Sequence, residues 1–171
     1  EKIRTLRPEG IILSGGPASI YEARSPRVDQ GIFGLGIPIL GICYGLQFMV
    51  DALGGEVVGA DKREYGLAEL IVGKAGALFS GVGKKSRCWM SHGARIGRIP
   101  SGFRITASTE NTEAAAAEDA KRRFYGLQFH PEVVHTVAGK KILENFLFGV
   151  CHCQKSWTMQ SFVRDAIAVA V

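Results

Sequence analysis

Hydrophobic and polar positions change rhythm repeatedly along the chain, and each change predicts an element. Residues 10–13 are a short apolar run ended by Ser14-Gly15-Gly16-Pro17, the pattern of a buried strand running into a turn. Helical spacing follows over residues 26–33, and a second apolar run covers residues 37–42. Directly after Cys43 the apolar positions fall at Leu46, Phe48, Met49, Ala52 and Leu53, a helical rhythm that Gly54-Gly55 stops. From Glu56 the chain becomes β-rich, with strands expected over residues 67–72, 87–91, 103–108 and 114–117 between Gly, Ser and Asn turn signals. A last strand over residues 125–129 runs into His130-Pro131-Glu132. Val137, Ile142, Leu143, Phe146, Leu147 and Val150 then give a helix apolar on one side. Alternating apolar runs and helical stretches make the class α/β.

The two ends read differently. Glu1-Lys2-Ile3-Arg4 opens as a helical tail, whereas a doubly wound sheet normally begins with its own strand–helix–strand unit; segments of a longer protein are expected upstream. Without them, unpaired sheet edges and apolar surface predict poor solubility or weak activity. Residues 157–171 read as a helix running outward, so the division expected is a domain over 1–150 and a helical extension over 151–171.

Composition narrows the class. The 171 residues are 46% hydrophobic and 22% charged, enough for one globular core. No stretch of about 18 apolar residues escapes a charge, so no membrane span is expected. The start lacks the apolar core of a secretory signal. Four cysteines without CxxC spacing do not form a disulfide framework, and a reducing cytoplasm is the expected compartment. The net charge of +5 comes from scattered basic residues, with short clusters at Lys84-Lys85-Ser86-Arg87 and Lys121-Arg122-Arg123. Both sit where turns are expected, with no aromatic interleaving, which favours solvated loops over a nucleic-acid surface.

The candidate chemistry centres on Gly41-Ile42-Cys43-Tyr44-Gly45. A cysteine between a strand and a helix, with glycines two residues to either side, has the layout of a nucleophile elbow with sulfur in place of oxygen. A thiol at a helix start faces the positive end of the macrodipole, which favours thiolate. The bland alternative is a small buried cysteine at a tight junction. A thiol nucleophile needs a base and a group to orient it, and His130 and Glu132, two apart in an extended segment, offer both. Read singly, they are a loop histidine and a helix-start carboxylate. The turn Ser14-Gly15-Gly16-Pro17 could present backbone N–H groups to an oxyanion, with the N–H of Tyr44 as second donor, or be an ordinary strand-end turn.

Taken together, residues 10–17, 41–47 and 126–132 resemble the class I, triad-type glutamine amidotransferases, with three motifs in the right order over nearly the whole chain. Within that class Lys62-Arg63-Glu64-Tyr65-Gly66, Trp89-Met90-Ser91-His92-Gly93 and Cys151-His152-Cys153 followed by Trp157 most resemble the amidotransferase portion of the GMP synthases. The resemblance implies an open, mixed or mostly parallel, flavodoxin-like sheet flanked by helices and lacking its N-terminal strand–helix–strand. It implies that Cys43 attacks the glutamine side-chain amide, His130 moves the protons and Glu132 orients His130. It further implies an oxyanion hole from Gly16 and Tyr44, and glutamine held by Gln47 and by Ser91, His92 and Gly93. Ammonia would pass to an ATP-pyrophosphatase synthetase, fused or separate, that aminates XMP. ATP and Mg belong to that partner, and this chain carries no Ser-Gly-Gly-x-Asp-Ser loop for them.

One departure matters: Ala94 stands where the family usually has aspartate after Ser-His-Gly, which bears on coupling to the synthetase and not on the triad. Cys151-His152-Cys153, with His135 as the nearest fourth group, admits a metal reading, but adjacent residues suit tetrahedral ligation poorly, and no metal is expected. Helix-end packing toward the partner is the favoured role for that segment. Alternatives for the whole chain are an amidotransferase serving chorismate or carbamoyl phosphate synthesis, a non-catalytic regulatory module, or a γ-glutamyl peptidase.

Overall fold

A computed structural model describes residues 2–22, 24–73, 76–155 and 167, without the side chains of residues 60–63. The expected outgoing helix over residues 157–171 lies outside the described residues, Ile167 apart. In chain order the elements are helix α1 (Lys2–Leu6), β1 (Ile11–Leu13), a 3₁₀ turn (Gln30–Gly34), β2 (Ile39–Ile42), α2 (Tyr44–Ala52) and β3 (Glu56–Val72). A second 3₁₀ turn (Ala77–Phe79) precedes β4 (Lys85–Arg98), β5 (Arg104–Ser108), β6 (Ala116–Asp119) and β7 (Phe124–Leu127). Helix α3 (Gly139–Glu144) then continues as a π-helical turn (Asn145–Val150).

Among the described residues seven strands form one sheet in the order β1-β2-β7-β6-β5-β3-β4. The pairs β1–β2 and β2–β7 are parallel, and the other four are antiparallel. The sheet is therefore mixed, and the mostly parallel version of the expectation does not hold: β3 to β6 are joined without crossover helices, so they return antiparallel.

β2 shows why the sheet carries two cores. All four of its residues are buried, and they alternate: Leu40 and Ile42 face one cluster with Ile142, Phe146 and Val150, and Ile39 faces the other with Leu46, Phe48 and Met49. Thus α2 covers one face and α3 with its π turn covers the other. Helix α2 lies so close to β1 that a Cβ on Gly45 would stand 2.0 Å from the Leu13 carbonyl oxygen.

Four sequence expectations are corrected. The run at residues 10–13 forms a strand, but it is not buried: among the described residues β1 pairs on one side only, and Ile12 is 45% exposed. Residues 26–33 give only the 3₁₀ turn, whose first turn is closed by the Asp29 side chain accepting from the Gly31 N–H at 2.6 Å; three glycines between 31 and 36 disfavour an α-helix. The short strands expected at 67–72 and 87–91 are parts of two long ones, β3 and β4, paired from Glu56–Arg98 to Ile71–Lys85 across an irregularity between Gly59 and Glu64. Finally, β6 begins at Ala116 and β7 ends at Leu127, so Gln128 and Phe129 leave the strand while staying buried.

Neither basic cluster forms a free stripe. Lys85 pairs with Glu69 at 2.8 Å, and Arg122 pairs with Asp119 at 2.6 Å while lying over the rings of Phe103 and Phe124. Cys151 packs into the core, where a Cβ on Gly10 would meet its Sγ at 2.4 Å, and burial pushes its thiol up to about 11. His152 is exposed at φ +58° and Cys153 half-buried. Among the described residues no cluster of His, Cys, Asp and Glu could hold a metal.

Candidate active site

β2 ends against α2 with a single residue between them. Cys43 holds φ +49° and ψ −107°, a conformation that L side chains rarely adopt and that costs on the order of 1–3 kcal/mol. The surroundings fix it: the Cys43 N–H donates to the Leu127 carbonyl at 2.7 Å, and its own carbonyl accepts from the Gln47 N–H at 3.1 Å, opening the helix. The thiol is 5% exposed at the floor of a cleft of about 980 Å³. Every site residue expected from the sequence lines that cleft: Cys43, His130 and Glu132, Gly16 and Tyr44, Gln47, and Ser91, His92 and Gly93. A second cavity, about 490 Å³ beside Ile3, Val28 and Leu35, holds none of them.

The His130 ring sits beside the sulfur. A Cβ on Gly15 would stand 2.8 Å from its Cε1 and 3.5 Å from the Cys43 Cβ, so at Gly15 the turn after β1 lies against both groups and leaves no room for a side chain. His130 Nδ1 lies 2.7 Å from Glu132 Oε1. The pair does not form through an extended segment, as the spacing implied: Pro131 and Glu132 lie in a turn that folds the carboxylate back to the ring. His130 is pushed up to about 9, first by its hydrogen bond with Cys43 and then by the Glu132 carboxylate, against the opposing effect of burial. At neutral pH it is an imidazolium between a sulfur and a carboxylate.

Thr136 pins this turn to the sheet. Its hydroxyl donates to the His130 carbonyl at 2.5 Å and accepts from the Trp89 N–H at 3.0 Å, while the His130 N–H donates to the Trp89 carbonyl at 3.0 Å. β4 also forms the cleft's far wall. The Cys43 thiol lies 3.6 Å from the Ser91 carbonyl, and the Ala94 carbonyl accepts from Gln47 Nε2 at 3.1 Å. Tyr44 is held by its hydroxyl donating to the Pro26 carbonyl at 2.6 Å, which fixes the N–H at the start of α2.

Behind β4 lies a buried acid. Glu64 accepts from the hydroxyls of Thr109 at 2.9 Å and Thr112 at 2.6 Å, and stands 3.7 Å from His92 Nε2. His92 is 4% exposed, with neither ring nitrogen hydrogen-bonded, and burial holds it below its ordinary value despite Glu64. Burial first and Glu64 second push the nearby Cys88 thiol up to about 12, so it stays protonated. Sequence reasoning missed Gln128, Thr136, Thr109 and Thr112 as parts of this site. The available signal was polarity at a buried position: Gln128 sits between Leu127 and Phe129, all three fully buried.

A family model for class-I glutamine amidotransferases matches residues 1–150. The chain belongs to that family. It is 53% identical to "GMP synthase [glutamine-hydrolyzing]" of Brachyspira hyodysenteriae over 96% of its own length and 32% of that protein. It is 50% identical to the protein of the same name from Heliobacterium modesticaldum over 98% of itself and 33% of the relative. The chain thus spans about a third of the curated relatives it matches. Among solved structures, a Thermoplasma acidophilum protein described as a GMP synthase subunit superimposes with a TM-score of 0.70 at 32% identity, covering 84% of this amidotransferase chain and 73% of that one.

Proposed function

We propose that this chain is the glutaminase part of a glutamine-hydrolysing GMP synthase. The observation that carries the reading is the strained Cys43 elbow facing an imidazolium that is itself held by a carboxylate at 2.7 Å. The names of the relatives, at about half identity over nearly all of the chain, support the acceptor branch.

The steps follow from the groups present. The Cys43 thiolate attacks the side-chain amide carbon of glutamine, and the carbonyl oxygen takes the negative charge, with the backbone N–H groups of Gly16 and Tyr44 as its donors. The tetrahedral adduct expels ammonia as the C–N bond breaks, with His130 giving the nitrogen its proton, and a γ-glutamyl thioester remains. His130, now neutral, takes a proton from water; the hydroxide adds to the thioester and releases glutamate and the thiolate. Glu132 holds the ring in place throughout and stabilises its charge whenever it is protonated. Gln47 and the strand Ser91-His92-Gly93 take the polar ends of the amino acid.

Released ammonia would serve an ATP-pyrophosphatase unit that aminates XMP with ATP and Mg, in a cytoplasmic setting. Among the described residues no helix is long and apolar enough to cross a membrane. The test is glutamate release from glutamine by the full native protein, with Cys43→Ala as control. A glutamine-mimicking electrophile should attach to Cys43 alone. Hydrolysis surviving Cys43→Ala, or labelling confined to Cys153, overturns the reading.

A further inference from the structure

Gln128 is a fully buried amide that the steps above leave unused. Its Nε2 lies 3.8 Å from the Cys43 sulfur, and its Oε1 accepts from Gln47 Nε2 at 3.4 Å. Gln47 Nε2 also donates to the Ala94 carbonyl at 3.1 Å. A backbone carbonyl can only accept, so Gln47 must turn its NH₂ inward. Gln128 must then meet it with oxygen, and the remaining end of the Gln128 amide, the NH₂, must point at sulfur. The orientation of both amides is set by one carbonyl on β4: Gln47 donates to Ala94 on one side and to Gln128 on the other, and Gln128 donates on to Cys43. We infer that Gln128 is a catalytic hydrogen-bond donor to the Cys43 sulfur, stabilising the thiolate both before attack and as the leaving group when the thioester is hydrolysed.

The chemistry matches the two moments at which sulfur carries charge. A donor fixed inside the protein, with no water to reorganise, is worth most against an anion. It acts from the side of β7, whereas the charged partner of the sulfur, His130 with Glu132 behind it, acts from the following turn; His92, with Glu64 behind it, faces the same cleft from β4. The relay also gives Gln47 two roles in one residue. Its NH₂ orients Gln128, leaving its Oε1 as the end available to a substrate donor.

This inference rests on the glutaminase reading of the site, but its test does not. In the full native protein, the rate of iodoacetamide addition at Cys43, read by mass spectrometry of that peptide, is followed against pH for the unaltered chain, Gln128→Met and Gln47→Met. Methionine keeps the volume and removes the donor. A hydrogen bond to a charged group predicts that the alkylation midpoint rises by roughly one pH unit in Gln128→Met, with addition about tenfold slower below it. Gln47→Met, which frees the Gln128 amide to turn over, should give a smaller shift in the same direction.

Should Gln128→Met fail to fold, nitrogen–proton spectra of the unaltered protein decide: the Gln128 side-chain NH₂ resonances must titrate with Cys43 and shift on its alkylation. Unchanged midpoints in folded variants, or NH₂ resonances indifferent to the thiol, overturn the inference. Absence of glutamine hydrolysis in a protein whose alkylation behaves as described would instead overturn the glutaminase reading alone.

Discussion

At the scale of single residues the site is a charge arrangement before it is a mechanism. His130 stands at about 9 instead of its ordinary 6.5, with the Cys43 side chain the largest cause. An imidazolium is needed to protonate departing ammonia, so glutamine turnover should fall as pH rises through about 9, and His130→Gln should abolish turnover at every pH. The same shift has a stability consequence. A histidine whose folded value lies above its unfolded one stabilises the fold fully below about 6.5, and this contribution is lost as pH rises through about 9. Urea midpoints across that interval should fall in the unaltered protein, and the His130-dependent part of the fall should vanish in His130→Gln. Glu132→Gln keeps the shape and removes the charge that holds the ring; turnover should drop by about 10²- to 10⁴-fold with little change in KM.

At the scale of elements, the candidate catalytic residues are only as well placed as the contacts between strand ends. Gly45, in the first turn of α2, packs against β1, and its missing side chain is what allows the approach. Gly45→Ala would force a Cβ to within 2.0 Å of the Leu13 carbonyl, so the helix or the strand must shift. Overpacking of this kind costs about 1–3 kcal/mol or more, and chemical denaturation should read it as a lower midpoint. Thr136→Val tests the other junction, removing the hydroxyl that joins the His130 carbonyl to the Trp89 N–H. About 1–3 kcal/mol of stability should be lost, with turnover falling more than glutamine binding.

The same contacts explain what could be read in the sequence. The elbow was legible because strand, cysteine and helix are adjacent in the chain, and Gly41, Cys43 and Gly45 are local requirements. The pairing of His130 with Glu132 was legible for the same reason, although a turn rather than an extended segment delivers it. Thr136, Gln128 and the Glu64–Thr109–Thr112 group were not legible as site parts, because their meaning lies in contacts between elements far apart in sequence. The lengths of β3 and β4 were missed for a related reason. Gly59 and Gly66 break the alternation that a strand reading depends on, and only the pairing of the two strands carries the ladder through them.

At the scale of the whole molecule, β4 is the element through which the site can be influenced from outside. It is the last strand in the sheet order and, among the described residues, pairs only with β3. Yet its Ser91 carbonyl faces the Cys43 thiol and its Ala94 carbonyl holds Gln47. A partner that displaces β4 by a few tenths of an ångström therefore alters sulfur and substrate contacts together, without touching either. On the proposed reading, a chain that spans about a third of its relatives and supplies ammonia to chemistry housed elsewhere needs such a link, since uncoupled hydrolysis wastes glutamine. In the full native protein, glutamate release should rise several-fold when XMP, ATP and Mg are supplied together. The rise should be larger in Ala94→Asp, which places a carboxylate on the cleft wall where a partner-induced shift of β4 would be felt. Parallel measurement of glutamate and GMP gives the coupling ratio directly. A rate of glutamate release indifferent to nucleotide, in a protein that nonetheless forms GMP from glutamine, would remove β4 as the conduit and leave the two half-reactions linked by ammonia alone.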